Sequence, residues 1–359
     1  MKFGAMIGTH INDWQLIKLA EDLGYDHGWV PDSQMIWSDC YAVLALAAVN
    51  TSRIKIGTGV SIAPTRIAPV TAHSIASIAA LAPGRVFLGL GTGHTAMRVM
   101  GMKPMKPKPF REYLRVVRGL LAGDEVEYSL NGETRDIRFL HLERKFIDIS
   151  HEIPIWVAAN GPGALRAAGA YGDGRISALN EPPALVHQSY ELMRAGAAEV
   201  KRAFPADFHS AALTSAVVLG PGEKLNSPRV IDQCGSQVAA ALHYCYENWK
   251  LTGDDSALPP AVRNVWDEYC AYVDKMSTPE HKRYLQIHEG HCSWLVPEER
   301  RFITPEAIET WILAGEPEQI IARLKDAEAA GLREITLLPP MDHARRVFRD
   351  FATHVMARY

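Results

Sequence analysis

No stretch of this 359-residue chain approaches about 18 uninterrupted apolar residues, so no membrane-spanning helix is expected. Charge of one sign does not dominate either. The 38 Lys and Arg against 41 Asp and Glu leave a formal net charge of −3, which gives no electrostatic case for nucleic acid or a membrane surface. Cysteine is scarce. Cys40, Cys234, Cys245, Cys270 and Cys292 are widely spaced, odd in number and form no C-x-x-C, which argues for a reduced, cytoplasmic protein over a disulfide or zinc framework. The opening residues MKFGAMIGTHINDWQ lack a basic segment followed by a long apolar one, so no secretory signal is expected. Internal repeats and low-complexity tracts are missing too. His288-Glu289-Gly290-His291 is not H-E-x-x-H, because its second histidine comes one residue too early; it reads as a solvated loop or helix end, and no metal site is expected.

What is there is ordinary in composition: 47% hydrophobic and 22% charged residues, as in a soluble globular protein. A chain of this length holds two average domains or one α/β barrel with insertions. Its organising stretch runs from Arg53 to His94. Ile54, Ile56 and Val60 fit one buried strand, and Val86, Phe87, Leu88 and Leu90 fit another. Between them Ala72, Ile75, Ile78, Ala79 and Ala82 recur at helical spacing. This is a βαβ unit with a parallel strand pair. Both strands end in Gly-Thr-Gly, at 57–59 and 91–93. Ligands sit at the carboxyl ends of parallel strands, so these ends predict a flat ligand close to backbone; ordinary turn chemistry is the other reading. A dinucleotide fingerprint is excluded, because G-x-G-x-x-G needs glycine where His94 stands.

Further candidate strands are Lys2–Gly8, His27–Pro31, Pro154–Ala158, Arg175–Ala178, Ala211–Leu219 and Glu334–Leu338, with helical patterns between them. Arg175–Ala178 is followed by the loop Leu179-Asn180-Glu181-Pro182-Pro183. Phe110–Leu121 reads as a helix after the basic loop KPMKPKP. Val126–Tyr128, Ile137–Phe139 and Phe146–Ile149 read as a small β excursion turning at Asn131-Gly132. Eight strands alternating with helices predict one (β/α)8 TIM barrel rather than an open sheet. Residues 221–304 are read as a mostly helical insertion before the last strand. Its stripes are Val230, Cys234, Val238, Ala241, Cys245, Trp249 and Val262, Val265, Trp266, Tyr269, Val273, and it is expected to cap the barrel mouth.

The pair GTGVSIAPTR and RVFLGLGTGH resembles the luciferase-like superfamily of flavin and deazaflavin oxidoreductases. Within it, the likeness is to the coenzyme F420-dependent branch that contains glucose-6-phosphate dehydrogenases and methylenetetrahydromethanopterin reductases. It runs from Lys2 to about Val218 and again from about Glu306 to the end. The resemblance implies a bacterial-luciferase-like barrel binding F420, or alternatively FMN, with a small-molecule substrate and a homodimeric assembly. With F420 the reaction is hydride transfer to or from an organic substrate. With FMN it is monooxygenation by reduced flavin and oxygen, served by a separate flavin reductase. A flavin-binding barrel without turnover is a further alternative.

The same resemblance places roles on residues. A non-prolyl cis peptide behind the cofactor ring falls on Thr58-Gly59-Val60, beside Thr92 and Gly93; the plain alternative is a trans turn. Asn160-Gly161-Pro162-Gly163 lies at a strand end before a helix. Backbone N–H groups there form an anion site, and the family puts its cofactor phosphate at this position; an ordinary helix-start turn is the alternative. Asp32 is a candidate hydrogen-bond partner of the cofactor, and Trp37 a wall of the substrate pocket. Ser33 stands where the sugar dehydrogenases carry a histidine, which removes their base for an alcohol proton. His94 stands in place of an acidic residue and, neutral or cationic, is a candidate proton donor, a lone surface or capping histidine being the alternative; Asp32 is the second catalytic candidate. His10, just past the first strand, would point to the same mouth. Thr310-Trp311 replaces an Arg-Trp pair, so the groups that would hold a sugar phosphate are not apparent.

Overall fold

A computed structural model describes residues 1–178, 181, 183–255 and 258–359. Of the loop Leu179–Pro183, Leu179, Asn180 and Pro182 lie outside the described residues, as do Ser256 and Ala257. The strands are β1 (Lys2–Met6), β2 (His27–Val30), β3 (Lys55–Thr58), β4 (Ser61–Ile62), β5 (Val86–Gly91), β6 (Val126–Leu130), β7 (Glu133–Ile137), β8 (Ile155–Ala158), β9 (Gly174–Ala178), β10 (His209–Thr214), β11 (Ala216–Val218), β12 (Leu313–Gly315) and β13 (Glu334–Leu337). The α-helices are α1 (Trp14–Asp22), α2 (Cys40–Asn50), α3 (Ala68–Leu81), α4 (His94–Arg98), α5 (Pro107–Leu121), α6 (Pro162–Tyr171), α7 (Pro183–Glu199), α8 (Pro228–Thr252), α9 (Arg263–Asp274), α10 (Arg283–Ile287), α11 (Pro305–Trp311), α12 (Pro317–Ala329) and α13 (Ala344–His354).

Parallel pairing runs β3-β2-β1-β13-β10-β9-β8-β5, and β3 pairs with β5 to close the ring. β4 continues β3 after an interruption, so the closed (β/α)8 barrel predicted from the alternation is the fold. Helix faces cover its outside. Phe110, Leu114 and Val117 of α5 and Phe348 and Phe351 of α13 are buried at helical spacing. The barrel interior is filled, not hollow, by Met6, Trp29, Phe87, Trp156, Ile176, Ala211 and Leu338. Phe87 stacks on Trp156 at 4.2 Å, and Trp156 stacks on His209 at 4.3 Å. At the amino-terminal end of the strands, Glu334 accepts from Trp29 Nε1 at 2.8 Å and lies 2.7 Å from both His27 Nδ1 and His209 Nε2.

Several boundaries differ from those expected. Val60 is not in the strand with Ile54 and Ile56; it lies in the interruption after Thr58. The run Ala211–Leu219 breaks at Ser215: β10 belongs to the barrel, whereas β11 leaves it to pair with β12. α5 starts at Pro107, inside the basic loop, because proline is compatible with a first helical turn. Only β6 and β7 form the exterior hairpin, turning through Asn131 and Gly132, both at positive φ. Phe146–Ile149 is not a strand. Between β11 and β12 the chain is mostly helical. Both predicted stripes meet in one apolar cluster with Phe302, Ile308 and Trp311. No helix among the described residues is long and apolar enough to cross a membrane.

Candidate functional site

All barrel strands run the same way, so the segments after their carboxyl ends open on one face. His10 follows β1, Asp32, Ser33 and Trp37 follow β2, and Thr58 ends β3 and Gly59-Val60 follow it. Thr92, Gly93 and His94 follow β5, and Asn160–Gly163 follows β8. Residues from five different loops are thereby brought to one mouth.

The centre of that mouth is a bulge. Gly57 pairs with Phe87 and Ser61 with Leu90, so four steps along one strand oppose three along the other. The extra residue falls in Thr58-Gly59-Val60, and the Gly59–Val60 peptide is cis. Thr58 donates its hydroxyl to the Gly89 carbonyl at 2.6 Å, and Gly59 N–H donates to Val30 O at 2.7 Å. Gly59 and Val60 stay half-buried, with Val60 against the aromatic interior of the barrel. The glycines beside the bulge serve it directly. A Cβ on Gly89 would lie 2.1 Å from Thr58 O, and one on Gly91 would lie 2.7 Å from Val60 Cγ2. Gly57 is needed because a Cβ there would come 2.3 Å from Phe87 O. Much of the glycine that predicted a close ligand thus admits the protein's own backbone and side chains.

Asp32 is buried and already engaged. Its Oδ2 accepts from Ser61 Oγ at 3.3 Å, Ile62 N at 3.2 Å and the Arg66 guanidinium. Arg66 also holds Asp39 at 3.0 Å, and Asp39 caps α2 through Tyr41 N and Ala42 N, each at 3.0 Å. Arg66 therefore links the β2 loop to β4. Its role was not legible from the sequence, although it ends the motif GTGVSIAPTR. Ser33 is buried in the turn that leads to Trp37, and Trp37 Nε1 donates to Ser293 Oγ at 2.9 Å.

His94 opens the short helix α4, after Gly93 in the left-handed region at φ 85°. Its pKa is lowered, first by burial and then by the Arg98 guanidinium, while Glu247 works the other way. Of the two forms expected for His94, neutral or cationic, burial and Arg98 favour the neutral imidazole. His10 is exposed at the start of a short 3-10 turn, its backbone N–H held by Asp13 at 2.9 Å.

At the β8 end, Gly161 is the N-cap of α6, and Asn160, Gly161 and Pro162 are exposed. A Cβ on Gly161 would meet nothing within 4 Å, whereas one on Gly163 would lie 2.9 Å from Pro107 Cβ. The fully buried Arg175 of β9 braces this loop. Its Nε donates to Ala159 O at 2.7 Å, and its guanidinium grips Glu181 at 2.5 and 2.7 Å. Neither Arg175 nor Glu181 stood out in the sequence, because an arginine in a short strand has no spacing signal.

The reading of His288–His291 as solvated is overturned. His288 is buried and His291 half-buried, because the 288–294 segment lies on the mouth rather than in solvent. Ser293 O accepts from Met341 N at 3.0 Å, and Cys292 O accepts from Gln237 Nε2 at 3.2 Å. Burial, followed by the neighbouring His288 and His243 imidazoles, pushes the His291 pKa well below the usual histidine value. In a cleft lined by Val218, Glu223, Arg229, Arg346 and Asp350, Arg229 and Arg346 are already paired with Glu223 and Asp350.

Comparison with known proteins agrees with this geometry. The sequence profile described as "Luciferase-like monooxygenase" matches residues 12–334. The 5,10-methylenetetrahydromethanopterin reductase of Archaeoglobus fulgidus is 27% identical over 349 residues, 95% of this chain and 94% of that protein. The F420-dependent hydroxymycolic acid dehydrogenase of Mycobacterium tuberculosis is 35% identical over 172 residues, 44% of this chain; the match spans less than half of that relative, 46%. The coenzyme F420 dependent tetrahydromethanopterin reductase of Methanopyrus kandleri shares the fold, with TM-score 0.67 at 19% identity over 100% of this chain and 99% of that one.

Proposed function

The chain belongs to the luciferase-like monooxygenase family, and from that premise we propose that it is an F420-dependent oxidoreductase moving a hydride between the deazaflavin and a small organic substrate. The observation that carries this reading is the half-buried Gly59–Val60 bulge above the aromatic barrel interior, on the same face as the open start of α6. Relatives whose names specify F420 support the choice of cofactor over FMN.

The residues fit such a group on two counts. Val60 presents an apolar side chain where a flat ring needs backing, and Gly161 leaves open space beside backbone N–H groups where a phosphate needs donors. In this reading Val60, Thr92 and Gly93 bound the ring site, and Asn160–Gly163 hold the phosphate. Lys103 and Lys106 on the adjoining loop and Lys108 in the first turn of α5, all exposed, add favourable charge for an anion. Bound F420 supplies a carbon-centred hydride donor or acceptor. The chain's own part is to orient the substrate and to handle its proton. His94, largely neutral, takes a proton from a substrate hydroxyl in oxidation and returns one in reduction. Asp32, tied to Arg66 and Ser61, keeps the bulge and the β2 loop in register beside the ring site. Trp37 and Ser33 wall the substrate side, His10 extends it, and the 221–304 insertion caps it. The reading extends to a cytoplasmic homodimer, in keeping with five free thiols and the family resemblance.

The test is separate fluorescence titration of F420 and FMN into the purified protein. F420 binding at least ten-fold tighter than FMN supports the reading. Tighter FMN binding with oxygen-dependent turnover in the presence of a flavin reductase would replace it by a monooxygenase. Tight binding with no turnover across alcohol, carbonyl, imine and alkene substrates would leave a binding barrel.

A further inference from the structure

Three histidines meet where the helical insertion contacts the barrel. His243 lies on α8, and His288 and His291 lie in the segment after α10. One ring nitrogen from each lies within 4.8 Å of one from each of the others. Two of the rings are held from behind by carboxylates. His243 Nε2 is 2.8 Å from Glu299 Oε1, and His288 Nε2 is 2.9 Å from Glu247 Oε1. A carboxylate accepts only, so both rings donate Nε2–H and leave Nδ1 with its lone pair. His288 Nδ1 and His291 Nδ1 face each other at 3.5 Å. His243 Nδ1 is buried and has no hydrogen-bond partner among the described residues.

A hydrogen bond from His291 Nδ1–H to His288 Nδ1 satisfies those two nitrogens but leaves the buried His243 Nδ1 without a donor. Two Nδ1 lone pairs, that of His243 buried without a donor, beside a third ring nitrogen suit one shared electrophile. Tetrahedral coordination with metal–nitrogen distances of about 2.0–2.1 Å separates ligand nitrogens by roughly 3.3 Å, close to the His288–His291 spacing. A carboxylate accepting from the far nitrogen is the usual support of a metal-bound imidazole, since it fixes both tautomer and ring orientation. The carboxylates are themselves fixed. Glu299 is buried, and Glu247 is bound by Arg98 of α4 at 2.5 Å.

We propose that His243, His288 and His291 form a divalent transition-metal site of Zn2+ type, with Glu299 and Glu247 as positioning residues. Imidazole ligands suit Zn2+, Cu2+, Ni2+ and Fe2+ and disfavour Mg2+ and Ca2+. Three protein ligands leave the fourth tetrahedral position to water or to a substrate oxygen. The site also ties the insertion to the mouth. Thr95 Oγ1 of α4 is 3.4 Å from His291 Nε2, and the same segment meets Trp37 through Ser293. Metal binding thereby orders the wall formed with α4 and Trp37. This assignment is independent of which cofactor the barrel binds.

The other cluster of potential ligands among the described residues, His27, His209 and Glu334, is different in kind. There the imidazole nitrogens point at a carboxylate at hydrogen-bond distance, 2.7 Å each, and every group has its partner. It serves as the control.

The experiment uses tag-free, full-length protein, treated with a chelator, dialysed and titrated with Co2+ and then Zn2+. We expect one equivalent of Co2+ to bind with visible d–d absorption of a four- or five-coordinate nitrogen site. Zn2+ should bleach that absorption stoichiometrically and raise the thermal midpoint. His243→Ala with His288→Ala should abolish the absorption. Glu299→Gln should keep the one-to-one stoichiometry but weaken affinity about 10- to 100-fold. His27→Gln should change neither. Folded wild-type protein that takes up no Co2+ at micromolar concentration overturns the proposal. So does absorption that survives in the folded double variant, or that disappears in His27→Gln.

Discussion

Thr58 and Gly89 lock the bulge at the barrel mouth: the threonine hydroxyl donates to the glycine carbonyl at 2.6 Å, and the Thr58 carbonyl stands 2.1 Å from where a Gly89 Cβ would lie. Two strands approach here more closely than any side chain allows. Because the obstacle is backbone, it cannot rotate away. Gly89→Ala should therefore destabilise the protein by about 2–3 kcal/mol and displace the bulge. Denaturant unfolding, together with cofactor titration of whatever folded protein remains, checks this. A Gly89→Ala variant with wild-type stability and wild-type cofactor affinity would contradict the packing argument.

Gly161 is the opposite case. It is exposed, in extended backbone at φ −87° and ψ 158°, and a Cβ there meets nothing within 4 Å. Gly161→Val should leave the melting temperature within about 2 °C of wild type, as expected of a surface change. It should weaken F420 binding ten-fold or more, because the branched side chain fills the space assigned to the phosphate. Unchanged affinity in the folded variant places the phosphate elsewhere.

Glu21 stabilises the fold in a pH-dependent way. Its buried carboxylate accepts from Ser52, Arg53 and Ile54 N–H at 2.8, 2.6 and 3.1 Å. Burial alone would raise its pKa; the three amides, with Lys18, override that and bring it to about 2. A depressed folded-state pKa means the stabilisation is complete above the unfolded value near 4.5 and fades as pH falls toward 2. Glu21→Gln should cost about 2–3 kcal/mol at pH 7, and the gap to wild type should narrow steadily below pH 4.5. Urea midpoints of both proteins between pH 7 and pH 3 give the comparison; a gap constant with pH would show that the carboxylate charge is not what those amides hold.

Glucose 6-phosphate should not be oxidised at an appreciable rate. Ser33 replaces the histidine base of the sugar dehydrogenases, and a buried hydroxyl is a poor base at neutral pH. Thr310 replaces the arginine beside the tryptophan, and its hydroxyl is used on Glu306 O at 2.8 Å within α11. Trp311 itself is buried in the cluster of the insertion. His94 can accept a proton, so the argument rests on the lost phosphate contact and the lost second base rather than on any charge at His94. An anaerobic assay following deazaflavin absorbance decides it. Robust turnover that Ser33→Ala abolishes would overturn the assignment.

The chain's own alternation already determined the barrel. Strand and helix periodicities are local, two residues and three to four residues long, and each element carries its own apolar face. The mouth was legible for the same reason, since the candidates from His10 to Gly163 lie at strand ends or in the segments after them. Tertiary structure alone decided the rest. The bulge depends on the register between β3–β4 and β5, which neither segment encodes by itself. Ser215 ends β10 because β12, about a hundred residues later, offers β11 a partner. His243 and His288 stand 45 positions apart, so no motif spacing links them; they meet because the apolar stripes of the insertion pack together and turn their imidazoles inward. A side chain's chemistry can be read from sequence, but its partner is chosen by packing between segments that the chain keeps far apart.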